Sequence, residues 1–129
     1  MNFLIDTHII LWISSQHKNL GSKFKKKFQD ENQNFFISVA SIWEMAIKIS
    51  LQKLILPVQL QEFVESEIIN NGIQVLDIKP EHTYNLLSLP FHHRDPFDRI
   101  IISQAITEKM TLVTHDRQFK KYKAKIFSN

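Results

Sequence analysis

Four carboxylates draw attention by their positions rather than their number. Asp6 directly follows the apolar run Phe3-Leu4-Ile5, and Asp116 lies two residues beyond Thr114, which ends Leu112-Val113-Thr114. Asp98 comes just after Pro96 and ahead of Ile100-Ile101-Ile102, while Glu44 sits beside Trp43 in a mostly apolar stretch. Taken singly, Asp6 and Asp98 read as helix caps and Asp116 as a turn residue. Taken together they are acids far apart in the chain that can meet at one edge of a sheet. Carboxylates crowded in that way repel one another and lose hydration, and the nearby chain holds too few cations to neutralise them. A divalent metal does so. Carboxylate and water oxygens are hard ligands suited to Mg²⁺ or Mn²⁺. One such ion, or a pair roughly 3.5–4 Å apart, can stabilise the attacking and leaving oxygens of an in-line displacement.

Other chemistries find little support. The chain has no cysteine, which excludes disulfides and thiolate metal sites. His8, His17, His82, His92, His93 and His115 are scattered, and none forms the paired-histidine helix motif of a zinc protease. His8 and His115 flank the acidic positions and are placed to touch a substrate. There is no glycine-rich phosphate loop and no Gly-x-Ser-x-Gly elbow. An aspartyl phosphatase needs a second Asp two residues after the first, where this chain has His8.

The elements that must position these acids alternate along the chain. Short apolar runs at Phe3-Leu4-Ile5, Phe35-Phe36-Ile37, Gln74 to Ile78, Thr111 to Thr114 and, more weakly, Ala124 to Phe127 read as strands, mostly without the alternation of a half-exposed sheet. Helical spacing recurs at Val39, Ile42, Trp43 and Ala46, at Leu60, Phe63, Val64 and Ile68, and at Ile100 to Ile106. Thr7 to Ser15 and Ser22 to Phe28 are further helices, and Pro80 opens a short one with Glu81 in its first turn. Strands alternating with helices imply parallel pairing, and so an α/β/α sandwich around a central parallel sheet of about four to five strands. In such sheets, sites form beyond the carboxyl ends of the strands, where Asp6, Glu44, Asp98 and Asp116 fall.

A chain of 129 residues with 43% hydrophobic and 22% charged residues suits one ordered domain over residues 1–129. The net charge of +3 and pI near 9.2 suit a polyanionic partner without requiring one. Basic residues cluster at Lys23, Lys25, Lys26 and Lys27, and again at Lys109, Arg117, Lys120, Lys121, Lys123 and Lys125; such runs are as often plain solvated faces. No apolar run reaches the roughly 20 residues of a membrane span, and the start lacks a signal-peptide pattern, so a cytoplasmic location is expected.

Four segments resemble, in order, those of the PIN-domain family, most closely VapC-like toxins of bacterial toxin–antitoxin pairs. They are Leu4-Ile5-Asp6-Thr7-His8, Ser41 to Lys48, His93 to Arg99, and Leu112 to Asp116. The likeness covers nearly the whole chain. It implies a Mg²⁺- or Mn²⁺-dependent endoribonuclease in which Asp6, Glu44 and Asp116 match the family's first, second and last acids. Asp98 matches the third, with Asp95 as the alternative or as a partner for Arg94 or Arg99. Thr114 resembles the family's Thr-x-Asp threonine, whose hydroxyl can bond a ligand carboxylate or a metal-bound water; Thr7 and Arg99 are secondary candidates. The family's usual alanine is replaced by Ser103. The resemblance further implies an RNA substrate, a small cognate antitoxin laid over the acidic groove, and a homodimer. Lys48, Arg94 and Arg99 are candidates for holding flanking phosphates. The competing expectation is a catalytically inactive RNA-binding or scaffold module; a DNA nuclease or phosphatase on the same acids is a third.

Overall fold

The computed structural model describes residues 1–128. The strands are β1 (Asn2–Ile5), β2 (Asn34–Ser38), β3 (Gln74–Leu76), β4 (Thr111–Thr114) and β5 (Ile126–Ser128). Around them run helices α1 (Thr7–Ser15), α2 (Ser22–Phe28), α3 (Val39–Ser50), α4 (Leu60–Phe63), α5 (Pro80–Tyr84) and α6 (Pro96–Thr107). The expected α/β/α architecture is present: all five strands pair in parallel in the order β3-β2-β1-β4-β5. The third strand stops at Leu76, short of Ile78, and the last begins at Ile126 rather than Ala124.

Side-chain alternation along β1 builds two cores. Phe3 and Ile5 face one side, where Phe35, Ile37 and Val113 join Ile9, Ile10 and Phe24 of the first two helices. Leu4 faces the other, where Leu112 packs with Ile101, Ile102 and Ala105 of α6. With β1 in the middle of the sheet, Phe3, Leu4 and Ile5 are all buried, which explains the unbroken apolar run.

The register decides where the chemistry falls. Ile5 pairs with Ile37 on one side and with Val113 on the other. The next residue of each strand or turn is therefore Asp6, Ser38 or Thr114, all at one level on the carboxyl rim. Asp6 N–H donates to the Val113 carbonyl at 3.0 Å, extending the ladder up to the acid itself. Three helices leave this rim under side-chain caps. Asp6 Oδ1 accepts from Ile9 N–H (3.0 Å) to start α1, and Ser38 Oγ accepts from Ala40 N–H (3.0 Å) to start α3. Asp95 Oδ1 accepts from Phe97 and Asp98 N–H (2.9 and 3.1 Å) to start α6.

Candidate functional site

Asp6 and Thr114 sit side by side at the ends of the two central strands, and both are buried. The Thr114 hydroxyl donates to Asp6 Oδ2 and accepts from Asp116 N–H at 3.0 Å. Thr114 thus ties the last acid's backbone to the first acid's side chain. Asp116 is exposed; its Oδ1 accepts from Gln118 N–H (2.9 Å) and opens the short 3₁₀ turn Arg117–Lys121.

Glu44 lies in the second turn of α3 and is buried, an unusual place for a carboxylate. Neighbours satisfy it: the Thr7 hydroxyl donates to Oε1 (2.8 Å), and Lys48 Nζ, one turn on, lies 3.0 Å from Oε2. Ser41 Oγ is 2.9 Å from Thr7 Oγ1, so a hydroxyl pair links α1 to α3 beside the acid. Thr7 immediately follows Asp6, so the same turn that aims the first carboxylate also anchors the second. Lys48, considered above for phosphate binding, is here paired with Glu44.

Asp98 settles on the same rim in α6. Burial first, and then repulsion from Asp95, Glu44, Asp6 and Asp116, pushes its carboxyl from 3.8 up to about 7. That order of causes is itself geometric information: one half-buried acid feels all four others. Asp6 is also raised, by burial, against the opposing effects of the Thr114 hydrogen bond, the Ile9 N–H and His8. His93 Nε2 lies 3.4 Å from Asp98 Oδ2, outside hydrogen-bond geometry, while its Nδ1 meets the Tyr122 hydroxyl at 2.8 Å.

The structure therefore gathers Asp6, Glu44, Asp98 and Asp116 at one rim, with Asp95 at its edge as the α6 cap. Arg99 is placed otherwise than the phosphate-holding expectation. It is buried, and its guanidinium donates to the carbonyls of Pro90 (2.7 Å), Leu89 (3.1 Å) and Leu86 (3.4 Å) while lying 3.9 Å from the Phe91 ring centroid. A cation so engaged clamps the 86–91 segment. Arg94 is exposed. Ser103, where the resemblance leads one to expect alanine, donates to the His82 carbonyl at 2.6 Å and ties α6 to α5.

Two features escaped sequence reasoning. Ser41 is one helical turn from Glu44, a spacing that could have marked it. The His93–Tyr122 pair spans 29 residues and carries no local signal.

The donor set suits a hard divalent cation: oxygen ligands only, mutually repelling, with Asp6 and Asp98 both held against ionisation. Among the described residues no three His, Asp or Glu side chains converge closely enough to hold an ion as they stand. Asp6, Glu44 and Asp116 each accept hydrogen bonds from neighbouring N–H or hydroxyl groups.

Two expectations follow from this geometry. In a chelator, Asp98 makes folding pH-dependent. The unfolded carboxyl ionises near 3.8 and the folded one near 7, so across that window the folded state holds the extra proton and stability falls as pH rises. Allowing for screening of the partly exposed side chain, the drop is on the order of 1–2 kcal/mol. Urea melts at pH 4.5 and 7.5 should show it, and Asp98→Asn should flatten it; an equal slope in the variant would remove Asp98 as its source. Second, Asp95→Ala should lose about 1 kcal/mol of stability as a lost helix cap, and Asp95→Asn should restore it. Failure of Asn to restore stability would mean that the charge, not the cap, matters at this position.

Comparison with known proteins agrees with the geometry. Residues 3–125 match the PIN domain. No curated protein matches in sequence. Among solved structures, the chain is similar to VapBC2 from Rickettsia felis bound to a DNA fragment from their promoter, at TM-score 0.76 and 20% identity over 99% of this chain and 98% of that one. It is also similar to DNA-bound VapBC from Salmonella typhimurium (0.68, 19%, 99% and 98%) and to a toxin–antitoxin complex from Klebsiella pneumoniae (0.56, 17%, 90% and 88%). At these identities the structural likeness is one of fold. With 123 of its 129 residues spanned by the match, the chain belongs to the PIN domain family.

Proposed function

We propose that this chain is a metal-dependent endoribonuclease, the toxin of a toxin–antitoxin pair, acting in the cytoplasm. The observation that carries the reading is Asp98: a carboxyl raised by burial and by four neighbouring acids marks a site arranged for positive charge. Asp6, Glu44, Asp98 and Asp116 would hold Mg²⁺ or Mn²⁺, directly or through water. When bound, such an ion supplies an activated water and neutralises charge developing on the scissile phosphate. The chain's own residues do the rest. Thr114 holds Asp6 and the backbone of Asp116 in register; Thr7 and Ser41 hold Glu44; the α6 cap at Asp95 sets the approach of Asp98. His8 and His115 are exposed and line a cavity beside Asp6 and Asp116.

Similarity to a toxin–antitoxin complex supports a protein inhibitor as partner, and a homodimer is part of the same proposal. The inactive RNA-binding module remains the alternative; the complete acidic set favours catalysis. Purified protein should cut single-stranded RNA with Mg²⁺ or Mn²⁺ and stop in EDTA, leaving single-stranded DNA and a phosphate monoester intact. Mn²⁺ at tenfold over its Kd should raise stability by about 1.4 kcal/mol, several degrees in a thermal melt. RNA binding without any Mn²⁺-dependent shift or cleavage would favour the passive module instead.

A further inference from the structure

Beside the carboxylates lies a cavity of 230 Å³ lined by Asp6, His8, Trp12, His115 and Asp116. It is smaller than the roughly 300–1,000 Å³ of ordinary small-molecule sites. That leaves room for one flat ring system and not for a whole cofactor. Its wall is aromatic. Trp12 projects from α1, one and a half turns beyond Asp6, and packs partly into the core. His17 stacks on Trp12 at 5.1 Å and 15°, fixing the indole plane, and His115 meets it edge to face at 5.1 Å and 66°. Asp6 and Asp116, two carboxylates of the candidate metal site, line the same cavity.

His8 and His115 are exposed, and His115 is free of hydrogen bonds and ion pairs to the described residues, so its ring can swing aside or stack on an entering group. A fixed indole beside a movable imidazole, both next to the acids, makes a stacking platform at the reaction centre. Bases are recognised in this way only when unpaired, because a duplex covers their faces.

Resting on the nuclease reading above, we propose that this cavity receives the unpaired base of the nucleotide adjoining the cleaved phosphate, with Trp12 and His115 as the residues that determine which base is accepted. Trp12 supplies the fixed face, and His8 and His115 supply ring N–H groups and nitrogen acceptors to the base edge.

The test reads binding, separately from cleavage. The chain has two tryptophans, so Trp43→Phe leaves Trp12 as the only indole. In that background, with Asp6→Asn to prevent cleavage, eight-nucleotide homopolymers of A, C, G and U are titrated while Trp12 emission is followed. Anisotropy of labelled RNA then compares Trp12→Leu, Trp12→Phe and His115→Ala. Expected are quenching of Trp12 that ranks the four bases, and binding weakened roughly tenfold to a hundredfold in Trp12→Leu but only a few-fold in Trp12→Phe. His115→Ala should narrow the spread among the four homopolymers. RNA that binds without altering Trp12 emission, or equally well in Trp12→Leu, overturns the base pocket and leaves the nuclease reading standing. Absence of RNA binding to every form overturns both.

Discussion

Asp6→Asn should abolish RNA cleavage while leaving the fold in place. The loss should be at least about a hundredfold in kcat/KM, the scale seen when one electrostatic group at a reacting centre is removed. Survival of the fold follows from the hydrogen bonds. Asp6 accepts from Ile9 N–H through Oδ1 and from the Thr114 hydroxyl through Oδ2. Asparagine keeps the first bond with its carbonyl oxygen. Its amide can donate to Thr114 Oγ1, which has a second lone pair beyond the one facing Asp116 N–H. Burial already disfavours the Asp6 charge, so its removal offsets what the altered hydrogen bond loses. A melt within a few degrees of the parent, with cleavage gone, is the expected pair of results. Undiminished cleavage by the pure variant would end the catalytic assignment.

Arg99→Ala should do the reverse, unfolding the protein more readily without touching the acids. The guanidinium serves three carbonyls from Leu86 to Pro90 and stacks on Phe91. Hydrogen bonds to a charged group are worth about 1.5–3 kcal/mol each, and carbonyls left unpaired and buried add to the loss. Because some of these bonds are long and the 86–91 segment can reach water once released, a net loss of about 3 kcal/mol is expected, roughly 10 °C in Tm for a chain of this size. Arg99→Lys should fall between, since an ammonium is a point charge rather than a fork. Thermal melts decide stability, and KM for RNA decides the rest: an unchanged melt with a raised KM would return Arg99 to the substrate.

The contrast between these two residues shows how far linear reasoning reaches. Asp6 and Arg99 were both marked by the family resemblance, and both are polar residues next to helix starts. One points to the rim and the other into the protein. Nothing in the spacing of His93 to Arg99 separates Asp95, Asp98 and Arg99 by role, because α6 turns each about 100° from its neighbour and only the packing of α6 on Leu4 and Leu112 sets which way the helix faces. Lys48 is a different case: it lies four residues after Glu44 on α3, a spacing legible in the sequence that favours an ion pair over phosphate binding, and the pair forms at 3.0 Å. Trp43, assigned to the helical apolar stripe of α3, is instead 59% exposed and meets Phe97 at the α3–α6 contact.

The order and type of the strands and main helices, by contrast, were readable in the sequence, while their ends were not: β3 stops at Leu76, β5 starts at Ile126, and the helical spacing from Leu60 to Ile68 resolves into a short α-helix followed by a π-helical turn. Periodicity and the position of polar caps are local properties, and they already dictate an α/β alternation with acids at the strand ends. Local chemistry also names which side chains can ligate a hard cation. What it leaves open is convergence. The level alignment of Asp6 with Thr114 arises from the β1–β4 register across 108 residues, and the raised carboxyl of Asp98 from charges on other elements. Electrostatic fields and cavities such as the one beside Trp12 sum over neighbours in space, so they exist only once the chain has closed on itself.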